Sequence, residues 1–242
     1  MNLINTLIAG VSIGAVYSLI AFALILVWRS TRVVNFAQAG QAAFSTYVGL
    51  SIEKAFGNYW LALLVAIIAG VLVGAFVEVV IVRFIVKRAT SAATATVAPV
   101  IAMLGLLGIF QGLMGLIWGG DYQPYPTAFS RDGISIAGTQ IPFSPSDLFV
   151  LLTVVVAMSI AAIIFQRTSL GLSMRAAAFA PEVTRLSGIR VSRIRTLGWA
   201  FAGGAGGLAG VLVAPTTFIA PNSFDLLLVF GFTAAVIGGL DS

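Results

Sequence analysis

Among its 242 residues the chain has no cysteine and no histidine. Disulfides, thiol nucleophiles, zinc sites and imidazole bases are excluded together. Lysine is almost absent too: Lys54 and Lys87 stand alone, and neither follows a glycine. The chain therefore carries no Gly-x-x-x-x-Gly-Lys-[Ser/Thr] phosphate-binding loop. Charge is scarce, with only 9% of residues Asp, Glu, Lys or Arg. No paired carboxylates lie within an apolar run to shuttle protons or assist a metal. No catalytic residue and no metal ligand is assigned, and the chain is not read as an enzyme. Any ATP-driven work needs an ATPase on another subunit.

What is abundant is apolar: 60% of the residues are hydrophobic, a membrane composition. Runs near 20 residues, the length that crosses about 30 Å of hydrocarbon, occupy 3–28, 33–52, 60–82, 93–118, 148–165 and 196–214. A seventh begins near Phe224 and is still apolar at Leu240, so it is expected to continue past Ser242. Alternation of apolar and polar residues is not sustained anywhere, which disfavours a barrel. The expected fold is an all-α polytopic membrane protein, one domain over 1–242, with about seven to eight transmembrane helices. The first run lacks a basic leader and is too long for a signal core, so it reads as a retained span.

The formal charge of +5 invites a nucleic-acid reading, and its placement argues against one. With the N-terminus outside, the inner segments collect Arg29, Arg32, Arg83, Lys87, Arg88, Arg167, Arg175, Arg185, Arg190, Arg193 and Arg195. Only Lys54 and Arg131 remain outside. That is the positive-inside asymmetry. Tyr59, Trp60, Trp118, Tyr122 and Tyr125 mark outer interfaces, and the outer loop 119–146, rich in proline and glycine, is expected to be irregular. Loop 119–146 is either a simple connector or the face that meets an external partner.

Polar residues inside the runs are few. Asn35, Gln38 and Gln41 recur at intervals of three and share a helical face. They read either as a capped or broken helix start or as a pathway-lining face, with Gln111 a further mid-span candidate. Glu78 lies within reach of Arg83, so an interfacial ion pair is expected. Glycines four apart, among them Gly70 and Gly74, Gly203 and Gly207, Gly206 and Gly210, predict close helix packing.

The segment 166–195 holds six arginines and a single acid, Glu182. Residues 172–179 favour a helix. Pro181 suits the first turn of a second one, Glu182 complements its dipole, and Gly188 closes it. A solvated loop obeying only the charge rule is the alternative. The pattern Leu170-Gly171-Leu172-x-x-Arg175-Ala176, Pro181-Glu182 and Leu186-x-Gly188-Ile189 resembles the coupling segment of permease subunits in the branched-chain amino acid ABC importer family. Gly14-x-x-Tyr17-Ser18-Leu19-Ile20-Ala21 and Val34-Asn35-Phe36-Ala37-Gln38-x-Gly40 resemble the N-terminal signature of its LivH-type subunit. Residues 202–212 and Ala235-Val236-Ile237-Gly238-Gly239-Leu240-Asp241-Ser242 are similar to its later glycine-rich motifs. The agreement runs in order along nearly the whole chain.

The resemblance implies half of a translocation pathway in the bacterial inner membrane. The implied partners are a homologous second permease subunit, two cytoplasmic ABC ATPase subunits, which hold the ATP and magnesium, and an extracytoplasmic solute-binding protein. It implies no cofactor on this chain. Arg175, Glu182, Arg185, Leu186, Gly188 and Ile189 would engage the ATPase, and a branched-chain amino acid would be the cargo. Urea or amides, moved by relatives of the same architecture, are the alternative cargo. The rival readings are an ion-coupled secondary transporter or channel, for which no repeat is found, and a non-transporting scaffold.

Overall fold

The structure, a computed structural model, describes residues 3–88, 92–136, 139–141 and 143–240. α1 (Leu3–Thr31) is one unbroken helix. Arg32 takes a left-handed conformation, φ 56°, and residues 33–37 then run without helical structure before α2 (Gln38–Phe56). The sequence suggested a helix from residue 33, so the observed start is five residues later. The left-handed residue is what forces the delay, because it stops α1 and re-aims the chain. α2 ends at Gly57, left-handed with φ 62°, whose amide donates to the Glu53 carbonyl at 2.7 Å. The Asn58 side chain accepts the Leu61 amide and starts α3 (Tyr59–Phe76), a side-chain N-cap.

α3 does not stop at Phe76. It widens into a π-helical turn over Val77–Val82 and continues as α4 (Arg83–Arg88). α5 (Ala92–Trp118) follows, with Pro99 inside it. Loop 119–146, expected to be irregular, contains regular structure. β1 (Ile134–Ile136) and β2 (Thr139–Ile141) pair antiparallel within it. Gln123 and Ile219 also exchange both backbone hydrogen bonds at 2.9 Å, tying the loop to the far end of the chain. Ser144 and Asp147 form a reciprocal capping box at the head of α6 (Pro145–Arg167). Two short helices follow, α7 (Ser169–Phe179) and α8 (Pro181–Leu186), then α9 (Val191–Thr217) and α10 (Asp225–Gly238).

Five described helices are long and apolar enough to cross a membrane: Gly10–Thr31, Tyr59–Arg88, Val97–Trp118, Pro145–Arg167 and Val191–Thr217. α2 carries its amides and small polar residues into the interior of the bundle, and α10 has 14 residues. Asp241 and Ser242, quoted in the last glycine motif, lie outside the described residues.

α9 is the centre of the bundle, packed by α3, α1 and α2. Its glycines make that possible. A Cβ on Gly203 or Gly70 would collide with the other's carbonyl, one on Gly74 would strike the Trp199 carbonyl, and one on Gly207 would strike that of Ala66. The two Gly-x-x-x-Gly pairs therefore face each other across an α3–α9 seam. Each glycine costs a helix about 1 kcal/mol against alanine. Backbone-to-backbone approach offsets that cost in lipid, where apolar burial gives no preference for protein over hydrocarbon. The glycines of α5 differ: Gly105, Gly108, Gly112 and Gly115 have open space where a Cβ would stand.

Candidate functional site

The three amides at the α1–α2 junction meet. Asn35 and Gln38 are fully buried and Gln41 is 1% exposed. The residue at the head of α2 is Ala37, with no side-chain cap, so the amides do not serve as one. They bond to each other: Asn35 Nδ2 donates to Gln38 Oε1 at 2.9 Å and to Gln41 Oε1 at 3.4 Å. Gln38 Nε2 donates to the Ala202 carbonyl on α9 at 3.0 Å. Gly206, one turn further along α9, leaves room for that side chain. Gln111 does not join them. It lies on α5 and donates to both carboxylate oxygens of Asp225, at 3.2 and 3.1 Å.

Glu78, in the π-helical turn, is 1% exposed. The expected ion pair with Arg83 forms, at 2.6 Å, and a second helix completes it. Thr196 Oγ1 donates to Glu78 Oε2 at 2.7 Å, while Arg83 Nη2 reaches the Thr196 hydroxyl and the Ser192 carbonyl at 2.8 and 3.3 Å. A buried carboxylate needs such partners. An α-helix puts residues i and i+5 on different faces; the wider π turn brings their side chains together.

At the same end of the bundle lie α7 and α8. Thr168 caps α7, and Gly171 passes so close to the Phe165 backbone that any Cβ there would collide with its carbonyl. Gly171 is thus what allows the chain to turn sharply out of α6. Gly188 has φ 82°. Its amide donates to the Arg185 carbonyl at 3.0 Å, and the Ile189 amide donates to that of Thr184 at 3.2 Å. Those two bonds make a Schellman closure of α8. Arg175, Glu182, Arg185, Leu186 and Gly188 are exposed, with Ile189 half-buried. The three charged residues enter no ion pair among the described residues. Among them lie Phe179 at 92% exposure, Leu186 at 89%, and Leu172 and Val183. An exposed apolar cluster rimmed by charge has the composition of an interaction surface. α7 itself rests on the ends of α1 and α9, with Met174 beside Gly198 and Ser30.

At the opposite end, Trp118 stacks on Tyr47 at 5.1 Å and donates to the Ser51 hydroxyl at 2.8 Å. Tyr59, Trp60, Phe129 and Phe149 form a ring cluster that holds loop 119–146 down. Tyr125 is buried there, and its burial pushes its phenol above the usual range. Lys54 and Arg131 are at this end, on Gln123 and the Pro215 carbonyl.

A family model described as the permease component of branched-chain amino acid transport systems matches residues 6–242. The chain belongs to that family. A probable branched-chain amino acid transport permease, LivH, from Methanocaldococcus jannaschii is 30% identical over 227 residues, covering 92% of this chain and 70% of its own. The high-affinity LivH permease of Escherichia coli K12 is 25% identical over 241 residues, covering 96% and 78%. An autoinducer 2 import permease, LsrC, from Yersinia enterocolitica is 30% identical over 143 residues, covering 58% and 38%. No solved structure matches the chain.

For a permease of this family, two polar residues escaped the sequence reading. Asp225 opens an apolar run and looks like its boundary, yet it is the partner of Gln111. Thr196 looks like the start of a span, yet it bridges Glu78 and Arg83. The exposed Phe179 was missed as well. Its signal was there: one aromatic after three alanines on a segment too short and too charged to enter lipid.

Proposed function

We propose that this permease forms half of the pathway of an ATP-driven importer for branched-chain amino acids in the bacterial inner membrane. Its partners are a second permease, a pair of cytoplasmic ATPase subunits and an external solute-binding protein. The observation that carries the coupling part is the exposed surface of α7 and α8: Phe179, Val183 and Leu186 beside unpaired Arg175, Glu182 and Arg185. An ATPase groove seated on it moves α7, and α7 bears on α1 and α9. Because α9 is locked to α3 by backbone contacts, a push on α7 shifts a packed unit rather than one helix, which suits a switch of access between two sides.

The substrate assignment follows the LivH relatives, and the autoinducer 2 permease keeps another small solute in view. The test is capture and transport together. The chain, gently solubilised, should co-purify an ATPase subunit, and the assembled complex should take up leucine in an ATP-dependent way. Arg175→Glu should remove both while leaving membrane insertion intact, since it reverses a docking charge. Uptake driven by an ion gradient without any ATPase would instead establish a secondary transporter. Uptake of another solute in place of leucine would reassign the substrate alone.

A further inference from the structure

The hydrogen-bond network around Asn35 determines which way each amide points. A carbonyl can only accept, so Ala202 requires Gln38 to present its nitrogen on that side. Gln38 Oε1 then faces Asn35, which must answer with Nδ2. The same Nδ2 meets Gln41, which must answer with Oε1. One backbone carbonyl thus orients all three side chains. Two buried atoms are left without a partner: Asn35 Oδ1, an acceptor, and Gln41 Nε2, a donor. Each lies about 2.2 Å across its own amide from an atom of the 3.4 Å Asn35–Gln41 bond, so they are at most about 8 Å apart. Buried polar atoms left open in this way call for a ligand or water.

Asn35 also forms part of the wall of a cavity of about 130 Å³ between α1, the α1–α2 junction and α10. The rest of the wall is apolar, with Leu24, Phe36, Leu228 and Phe232. Its one other polar residue, Thr233, already donates to the Val229 carbonyl at 2.8 Å. With Nδ2 turned to the glutamines, Oδ1 is the side-chain atom of Asn35 that no described group occupies.

We propose that Asn35 Oδ1 and Gln41 Nε2 are the head-group site for a zwitterionic amino acid whose side chain occupies this apolar cavity. The α-ammonium donates to Asn35 Oδ1, and the α-carboxylate accepts from Gln41 Nε2. Gln38 is a positioning residue, occupied at both ends and holding the other two in their orientation. An ammonium and a carboxylate about 3 Å apart, with a hydrogen bond of about 2.8 Å at each end, reach about 8.6 Å when straight, so they bridge the two free atoms in a bent arrangement. The residues that line the cavity carry no charge. A net cation or anion taken out of water needs a counter-charge, and the buried ion pair of the described residues, Glu78–Arg83, is on other elements. Neutral amides match a ligand whose two charges cancel, and they bind it weakly enough to let it go.

This deepens the amino-acid permease reading and rests on it, so the test is kept apart from ATPase capture and uptake. The full chain in nanodiscs, with neither nucleotide nor binding protein, is loaded with tritiated leucine. Leucine, 3-methylbutylamine (no carboxylate or other acceptor) and 4-methylpentanoate (no ammonium) are compared as competitors. Wild type should prefer leucine to each analogue by about tenfold. Gln41→Met should abolish the preference over 3-methylbutylamine and keep that over 4-methylpentanoate; Asn35→Leu should do the reverse. A general packing defect would weaken all three ligands alike, and that result would overturn the assignment. Wild-type binding with no preference among the three would overturn it without any variant. No displaceable leucine at all would mean that the free atoms hold water only, even if the assembled importer transports leucine.

Discussion

At the scale of single residues, glycines of one composition divide into two kinds. Gly203 has the Gly70 carbonyl where its Cβ would go, while Gly108 has open space. Gly203→Ala should therefore destabilise the solubilised chain by about 1–3 kcal/mol through forced separation of α3 and α9. Gly108→Ala should leave it unchanged or stabilise it by up to about 1 kcal/mol. Thermal unfolding of both variants side by side checks this, and equal losses would refute the seam. Glu78 gives the polar counterpart. Glu78→Ala leaves Arg83 and Thr196 facing a buried gap and should cost about 3 kcal/mol. The Glu78→Ala, Arg83→Ala double variant should cost clearly less than the two single losses combined, because removing both partners strands neither. Sequence showed Arg83 as the partner of Glu78, but it showed the glycines and amides without theirs. Glycines four apart announce close packing, but not that Gly70 meets Gly203. Gln38 could be put on a face, but the carbonyl that orients it lies 164 residues away.

Among the elements, the most readable were those whose ends carry side-chain or glycine signals. Pro181, Glu182 and Gly188 predicted α8, and the structure contains it with Gly188 in the left-handed C′ conformation. Gly188→Val should strain that turn by about 1–2 kcal/mol and tilt Leu186 and Ile189 away from their present positions. Insertion should stay normal while ATP-dependent leucine uptake falls severalfold; undiminished uptake would mean that α8 does not couple. The π-helical turn had no such signal. A widened turn differs from an α turn by where one extra residue is accommodated, and Val77–Val82 continues the apolar run of the helix before it with Glu78 as its one charged residue. The start of α2 was hidden for a related reason, since residues 33–37 are apolar enough to extend the run and only the backbone of Arg32 ends it.

For the whole molecule, apolar runs and arginine placement were enough to outline a polytopic helical bundle, because length and charge act at the scale of the membrane. Which helix lies inside was less visible, since α9 reads as an ordinary span until its neighbours are known. Orientation can be measured directly in a chain with no cysteine of its own. A single cysteine replacing Arg185 should react with an impermeant maleimide only in inside-out vesicles, and one replacing Arg131 only in right-side-out vesicles. The inverse pattern would reverse the topology. The α3–α9 seam also bears on biogenesis. When a ribosome has delivered α1 to α3, the flank of α3 that carries Gly70 and Gly74 is a shallow furrow with nothing in it. α9, which carries the matching furrow, is synthesised more than a hundred residues later. Until then lipid must stand in for it, and α9 must displace that lipid to arrive. Assembly of this protein is thus a replacement of solvent by helix, and the arrival of α9 sets the contact through which α7 can act.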